Sequence, residues 1–181
     1  MLKSLCVFCG SRTGANPLYA ECARRLGSAL AQRKIDLVYG AGHIGLMGVI
    51  ADAVLAARGQ AIGVIPQALV DRELAHQELT KLHVVAGMHE RKALMAALSD
   101  AFVALPGAYG TADETFEMLT WNQLKIHEKP VGLLNVAGFF DPLLAWIDRC
   151  VADDLLKARY REFLVVDDDV DRMLDKLGGT P

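Results

Sequence analysis

Residues 101–124 read AFVALPGAYGTADETFEMLTWNQL. A short apolar run over 101–105 gives way to a turn crowded with Pro106, Gly107 and Gly110, and the turn leads into a helical pattern from Thr111. Strand, glycine turn and helix in that order make half of a βαβ unit. The same order recurs along the chain. Further strand-like runs fall at 5–9, 36–39, 61–65, 82–86, 131–134 and 163–166, and helical patterns at 17–33, 44–58, 88–99, 111–127 and 140–151, with a last helix reaching about residue 177. The alternation predicts an α/β fold: a single Rossmann-like domain over residues 1–181, with a mostly parallel sheet and helices on both faces. No internal repeat or linker interrupts it.

The chain has 181 residues, 52% of them hydrophobic and 23% charged, enough apolar material for one sizeable core. Its 19 Lys and Arg against 22 Asp and Glu give a net charge of −3, which argues against a nucleic-acid partner. The opening MLKSLCVFCG has one Lys and too short an apolar run for a secretory signal. The longest apolar segment, 44–57, contains Asp52 and falls short of the roughly 20 residues that span a membrane. A soluble, cytoplasmic protein with no membrane partner is expected. Cys6 and Cys9 form C-x-x-C, but inside a strand, where positions i and i+3 face opposite ways. They read as buried structural thiols, and no second pair completes a zinc site.

Open α/β sheets bind ligands beyond the carboxyl ends of their strands. The turns that follow the strands are CGSRTG, YGAGHIG, AGMHERK and LPGAYGT, and they carry most of the glycine and the unusual polar residues. In VYGAGHIGLMG, residues 38–48, Gly40, Gly42 and Gly45 spell G-x-G-x-x-G between a strand and a helix. The acidic residue that a dinucleotide site wants at the end of the next strand is missing, since that strand ends in GVIPQ. Two readings stay open: a turn that offers backbone N–H groups to a phosphate, and a tight turn that lets helix and sheet pack closely.

In GMHERKALMAAL, residues 87–98, Arg91 and Lys92 fall near a helix start, where cations oppose the macrodipole. Arg91 suits a phosphate, or else the charges pair internally, Glu90 with Lys92. His89 reads as a structural donor. Thr111 and Glu114 form T-x-x-E, a capping box. That accounts for both residues without chemistry, but not for the glycines before them, which let a ligand approach the main chain at a helix start.

Taken together, these residues resemble the LONELY GUY family, the cytokinin riboside 5′-monophosphate phosphoribohydrolases, often labelled possible lysine decarboxylases. The motif P-G-G-x-G-T-x-x-E lies on residues 106–114 and a second signature, MHERKALM, on 88–95. YGAGHIGLMG, FCGSRTG and KPVGLLNVAGFFDPLL extend the resemblance over nearly the whole chain. It implies a Rossmann-like fold, usually dimeric in chains this short, with the active site near the subunit interface. It implies Arg91 and Glu114 as catalytic residues. Ser11, Gly42, Met88, Lys92, Gly107, Ala108, Gly110 and Thr111 would bind substrate, with Gly107, Gly110 and Thr111 on its phosphate. No metal and no cofactor are implied, and no lysine context suits pyridoxal phosphate chemistry.

The implied reaction is hydrolysis of the N-glycosidic bond of a purine or N6-modified adenine nucleoside 5′-monophosphate, which releases the base and ribose 5-phosphate. The alternative is a nucleotide-binding module without turnover, in which Glu114 is only a cap. Two positions depart from the family pattern: Ala108 replaces the second glycine of P-G-G, and Ala41 a glycine of YGAG. Both are expected to narrow the pocket, and an alanine already at 108 implies φ < 0 there. Homodimer formation is expected from two helices: the one over 44–57 is apolar nearly all round, and the one from Thr111 carries two apolar stripes, Phe116 with Leu119 and Met118 with Trp121.

Overall fold

A computed structural model describes residues 2–72 and 75–179. Seven strands run β1 Ser4–Phe8, β2 Asp36–Tyr39, β3 Ala61–Pro66, β4 Lys81–Val85, β5 Ala101–Ala104, β6 Val131–Leu134 and β7 Leu164–Asp167. The helices are α1 Pro17–Gln32, α2 Gly45–Ala56, α3 Gln67–Val70, α4 Met88–Ala97, α5 Tyr109–Gln123, α6 Asp141–Ala152, α7 Ala158–Arg161 and α8 Val170–Leu177, with a 3-10 turn at Val136–Gly138. The strands form one sheet in the order β4-β3-β2-β1-β5-β6-β7. Every pairing is parallel, which makes the sheet wholly rather than mostly parallel.

The two faces follow from the period of two along each strand. Leu5, Val7 and Cys9 face a core built with Leu26 and Leu30 of α1, Ile50 and Val54 of α2 and Met173 of α8. Cys6 and Phe8 face the opposite core, with Met95 of α4, Met118 of α5 and Ile147 of α6. The two cysteines of C-x-x-C therefore lie on opposite faces as free, buried thiols. Burial pushes both thiols well above the ordinary cysteine pKa, with the charge of Glu114 adding to the shift.

From β1 the chain winds outward to β4, then returns to lay β5 beside β1 and winds the other way. The reversal puts a switch point at the carboxyl ends of β1 and β5, where the loops after the two strands diverge and leave a crevice. Their register, Val7 opposite Val103 and Phe8 opposite Ala104, brings both loops out at one level.

Local chemistry sets the helix ends. Asn16 caps α1 by accepting from the Leu18 N–H at 3.0 Å, with Pro17 in the first turn. Asp169 caps α8 by accepting from the N–H groups of Asp171 and Arg172, each at 3.0 Å. α5 ends earlier than the predicted 127, because Lys125 turns to φ 59° and the carbonyls of Asn122 and Trp121 accept from Lys125 and Ile126.

The apolar character of α2 is used largely within the chain. Gly27 of α1 lets the two helices approach so closely that a Cβ there would lie 2.7 Å from the Ile50 carbonyl oxygen. On α5, Met118 faces the sheet, while Phe116 meets Trp146 of α6 edge-on at 5.7 Å. Neither helix by itself calls for a second subunit. Among the described residues no helix is long and apolar enough to cross a membrane.

Candidate active site

A cleft of about 360 Å³ opens at the switch point. Its walls come from the loop after β1 (Gly10, Ser11, Arg12, Thr13, Gly14), the loop after β5 (Pro106, Gly107, Ala108), the start of α5 (Gly110, Thr111, Glu114), Leu46 and Met47 of α2, and single side chains of α1, α4 and the β6–α6 connection. Gly10 joins the loops: its N–H donates to the Pro106 carbonyl at 3.1 Å, and its carbonyl accepts from Leu46 N–H of α2 at 3.0 Å.

On the loop after β5, Ala108 takes φ −113°, the negative value that an alanine there implies. The capping box predicted for Thr111 and Glu114 is absent. α5 starts two residues earlier, at Tyr109, and no side chain caps it. Thr111 is thus the third helical residue, buried, with its hydroxyl packed so closely on Gly107 that a Cβ at 107 would overlap it. The first backbone bond of the helix runs from Ala112 N–H to Ala108 O, so the N–H groups of Tyr109, Gly110 and Thr111 precede the intrahelical ladder beside the cleft.

Glu114, freed from capping, faces Arg91. Its Oε1 lies 3.9 Å from Arg91 Nη1, with both side chains nearly buried at 12% and 11% exposure. That distance is too long for a hydrogen bond, so the pair interacts through space. Burial pushes the Glu114 pKa above the ordinary glutamate value. The Arg91 charge opposes the rise, Asp113 adds to it, Lys92 opposes it and Glu117 adds.

Arg91 is fixed from behind. Its Nε donates to the Val64 carbonyl at 3.1 Å and one Nη2 hydrogen to the Gly40 carbonyl at 3.2 Å, over the ends of β3 and β2. Gly40, the first glycine of G-x-G-x-x-G, leaves the room: a Cβ at that position would overlap Arg91 Nη2. Gly45 of the motif and Gly48 just beyond it also serve close packing. Gly45 has φ +64° and lies against the Ser11–Arg12 backbone, and Gly48 lies against the His43 carbonyl.

The cleft brings together Ser11, Arg91, Gly107, Ala108, Gly110, Thr111 and Glu114. It leaves out Gly42, Met88 and Lys92. Gly42 is buried in a bridge to Ala75, with Met47 packed on it. The Met88 sulfur lies 3.7 Å from Arg91 Nη1, outside the cleft lining. Lys92 turns to α5, to Asp113 and Glu117, rather than to Glu90, whose carboxylate accepts from the Ala86 N–H at 2.9 Å. Ala41 does not narrow the cleft: it is wholly buried at φ +60°, packed with Ile65 and Ala75.

Tyr19, Met47 and Phe139 line the cleft without having been anticipated, as do Arg12 and Thr13. Arg12 and Thr13 belong to a turn already marked by its glycines. Tyr19 and Phe139 are in edge-to-face contact at 5.5 Å; Tyr19 comes from a neighbourhood with no motif, and Phe139 from the KPVGLLNVAGFFDPLL section, where no role was assigned to it.

Fold and site together define an α/β enzyme with a buried carboxylate and a fixed arginine at a sheet switch point. The profile of the family described as "Possible lysine decarboxylase" matches residues 47–177. A probable cytokinin riboside 5′-monophosphate phosphoribohydrolase of Oryza sativa subsp. japonica is 51% identical over 161 residues, 89% of this chain and 72% of that one. A cytokinin riboside 5′-monophosphate phosphoribohydrolase of Arabidopsis thaliana is 47% identical over 175 residues, 97% of this chain and 82% of that one. The chain belongs to this family of phosphoribohydrolases, which are N-glycosidase-type hydrolases.

Among solved structures, the molybdenum cofactor carrier protein of Chlamydomonas reinhardtii superposes with a TM-score of 0.74 at 20% identity, covering 99% of this chain and 98% of that one. The molybdenum cofactor binding protein of Rippkaea orientalis gives 0.74 at 20% identity, covering 98% and 96%. At that identity the likeness concerns the fold alone.

Proposed function

We propose that the protein hydrolyses the N-glycosidic bond of cytokinin riboside 5′-monophosphates, with AMP and related purine nucleotides inside its range. The observation that carries this is the Arg91–Glu114 pair beside the uncapped start of α5. The 5′-phosphate binds the open N–H groups of the Gly107–Thr111 turn, with Ser11 facing it from the loop after β1. Binding energy from that remote group positions the ribose. As the glycosidic bond breaks, positive charge develops on the anomeric carbon, and the Glu114 carboxylate stabilises it and helps activate the attacking water. Arg91 orients the ribose phosphate and assists departure of the base. Water enters, and the free base and ribose 5-phosphate leave.

The competing reading, a binding module without turnover, required Glu114 to act as a helix cap, and no such cap forms. A lysine decarboxylase needs a lysine free to form a Schiff base with pyridoxal phosphate. None lines the cleft among the described residues, and Lys92 nearby is engaged by two carboxylates that hold its pKa above the ordinary lysine value against the effect of burial.

The protein acts as a homodimer in this proposal. Leu82 and Val84 of the edge strand and Met88, which touches Arg91 at the start of α4, are exposed apolar side chains, and a second subunit would cover them. Incubation with N6-prenylated AMP, AMP and adenosine, followed by chromatography of the free base, tests the activity. Release from the nucleotides well above that from adenosine is expected, and equal rates would remove the phosphate anchor. Light scattering at micromolar concentration tests the dimer, which a monomer mass rejects.

A further inference from the structure

Two cations of α4 reach α5 side by side, and only one of them enters the cleft. Arg91 faces Glu114. Lys92, the next residue, donates to Asp113 Oδ2 at 3.1 Å and forms an ion pair with Glu117 Oε2 at 3.1 Å. Asp113 and Glu117 stand one turn apart and flank Glu114 in sequence, so one largely shielded lysine holds both sides of the α5 turn that presents Glu114. The Lys92 side chain is only 11% exposed, although Asp113 is 62% exposed. A surface ion pair would leave its lysine in water. This one is sunk between the two helices and absent from the cleft wall.

We infer that Lys92 is a positioning residue: it fixes the α5 turn that bears Glu114 against the α4 turn that bears Arg91, and it balances the charge around Glu114 without touching the substrate. The inference rests on the phosphoribohydrolase reading of the cleft.

The surroundings of Glu114 give it a sign that can be measured. From α4, Arg91 and Lys92 face it as cations. From α5, Asp113 and Glu117 face it as anions. From β1 and the residue after it come the Cys6 and Cys9 thiols, kept neutral by burial, and Arg12 lines the same cleft. Lys92 favours the ionised carboxylate, whereas Asp113 and Glu117 disfavour it. Removing the lysine therefore raises the pKa of Glu114. Removing the two flanking charges lowers it, although both changes break the same contacts.

The test is the pH profile of kcat/KM for N6-prenylated AMP in the parent, Lys92→Met, Lys92→Arg and the double variant Asp113→Asn with Glu117→Gln. Glu114 is titrated in parallel by carbon NMR on glutamate-labelled protein, its signal assigned with Glu114→Gln. In Lys92→Met the acid limb and the NMR midpoint are expected to move up by roughly half a pH unit or more, and in the double variant to move down. Lys92→Met should lose about tenfold in kcat, equivalent to about 1.4 kcal/mol, with little change in KM, and Lys92→Arg should recover most of it. Superimposed profiles, or shifts in the same direction for both variants, overturn the inference. A loss confined to KM in Lys92→Met also overturns it, and makes Lys92 a substrate contact. Should Lys92→Met unfold in a thermal melt, the double variant and Lys92→Arg decide the question. If the parent releases no base from any nucleotide, the functional reading fails, and the NMR midpoints still decide the role of Lys92.

Discussion

Two charge clusters in this molecule are built from the same kinds of side chain and do opposite things. At the end of the chain, Asp167, on β7, accepts from the Asp169 N–H at 2.9 Å, from Arg172 Nε at 3.0 Å and from Lys176 Nζ at 2.7 Å. Arg25 of α1 and Arg33 just after it reach the same corner and tie α8 to α1 through Asp169, Asp171 and Asp175. Burial alone would raise the Asp167 pKa, but Lys176 and Arg172 outweigh it and hold the carboxyl far below the usual range. In the cleft, Glu114 is also largely shielded from water, yet its nearest cation stands at 3.9 Å and its pKa is raised. A closed cluster contributes to stability. An open one is held at a cost to stability, and its electrostatic capacity remains available to a ligand.

The sharpest way to break the contrast is Glu114→Gln. Turnover should fall by at least about 10²-fold, the lower range for acid–base roles. The folded state should meanwhile become more stable at neutral pH. The sign follows from linkage. A carboxyl whose folded pKa lies above its unfolded one opposes folding once ionised, so the parent loses stability as pH rises through the ordinary glutamate range and beyond, and the variant does not. Calorimetric melting temperatures should separate above that range and converge below it. A variant less stable than the parent at pH 7 would mean that Glu114 supports the fold.

Gly40→Ala attacks the other half of the pair. A methyl group there meets the Arg91 guanidinium, and a shift of about 1 Å in a positioning group can cost about 10²-fold. Steady-state kinetics should show a large loss of kcat/KM with the protein still folded. Near-parent activity would mean that Arg91 can work from elsewhere.

In the closed cluster the effects reverse. Asp167→Asn should destabilise by about 1–3 kcal/mol, with turnover per folded molecule unchanged. Because its folded pKa is lowered, Asp167 contributes stability above the ordinary aspartate value that is lost as pH falls below it. Denaturant titrations of parent and variant should therefore converge in acid.

The smallest effect lies outside both clusters. Lys125 ends α5 at φ 59°, a conformation that glycine adopts without strain. Lys125→Gly should stabilise by about 1 kcal/mol, read as a shift in denaturant midpoint with unchanged slope.

All seven strands were legible, because each is an apolar run bounded by glycine or by an amphipathic stretch, and such runs depend on their own residues. The separation of Cys6 from Cys9 followed from the strand period alone. The start of α5 was not legible. T-x-x-E carries the capping signal, but Tyr109 and Gly110 already follow the helical path, and Thr111 is taken up by its contact with Gly107. The purpose of Gly40 was hidden for a different reason. Its neighbour in space is Arg91, and a glycine that makes room for a distant side chain looks in sequence like one that turns towards a phosphate. Lys92 was misplaced by its adjacency to Arg91: successive helical residues point about 100° apart, so one enters the cleft and the other the helix interface. Tyr19 gave no signal and Phe139 only membership of the KPVGLLNVAGFFDPLL section, since a cleft wall assembled from separate segments has no local pattern.

The hydrogen bonds of Gly10 have a consequence for affinity. Through that one residue, the loops after β1 and β5 and the start of α2 are fastened together before any ligand arrives. A ligand that enters the cleft does not have to immobilise three wandering segments, so less of its interaction energy is offset by loss of chain freedom. Recognition by such a cleft is nearer to lock and key than to folding upon binding, and its selectivity should depend more on the shape of a rigid mouth than on rearrangement of the floor.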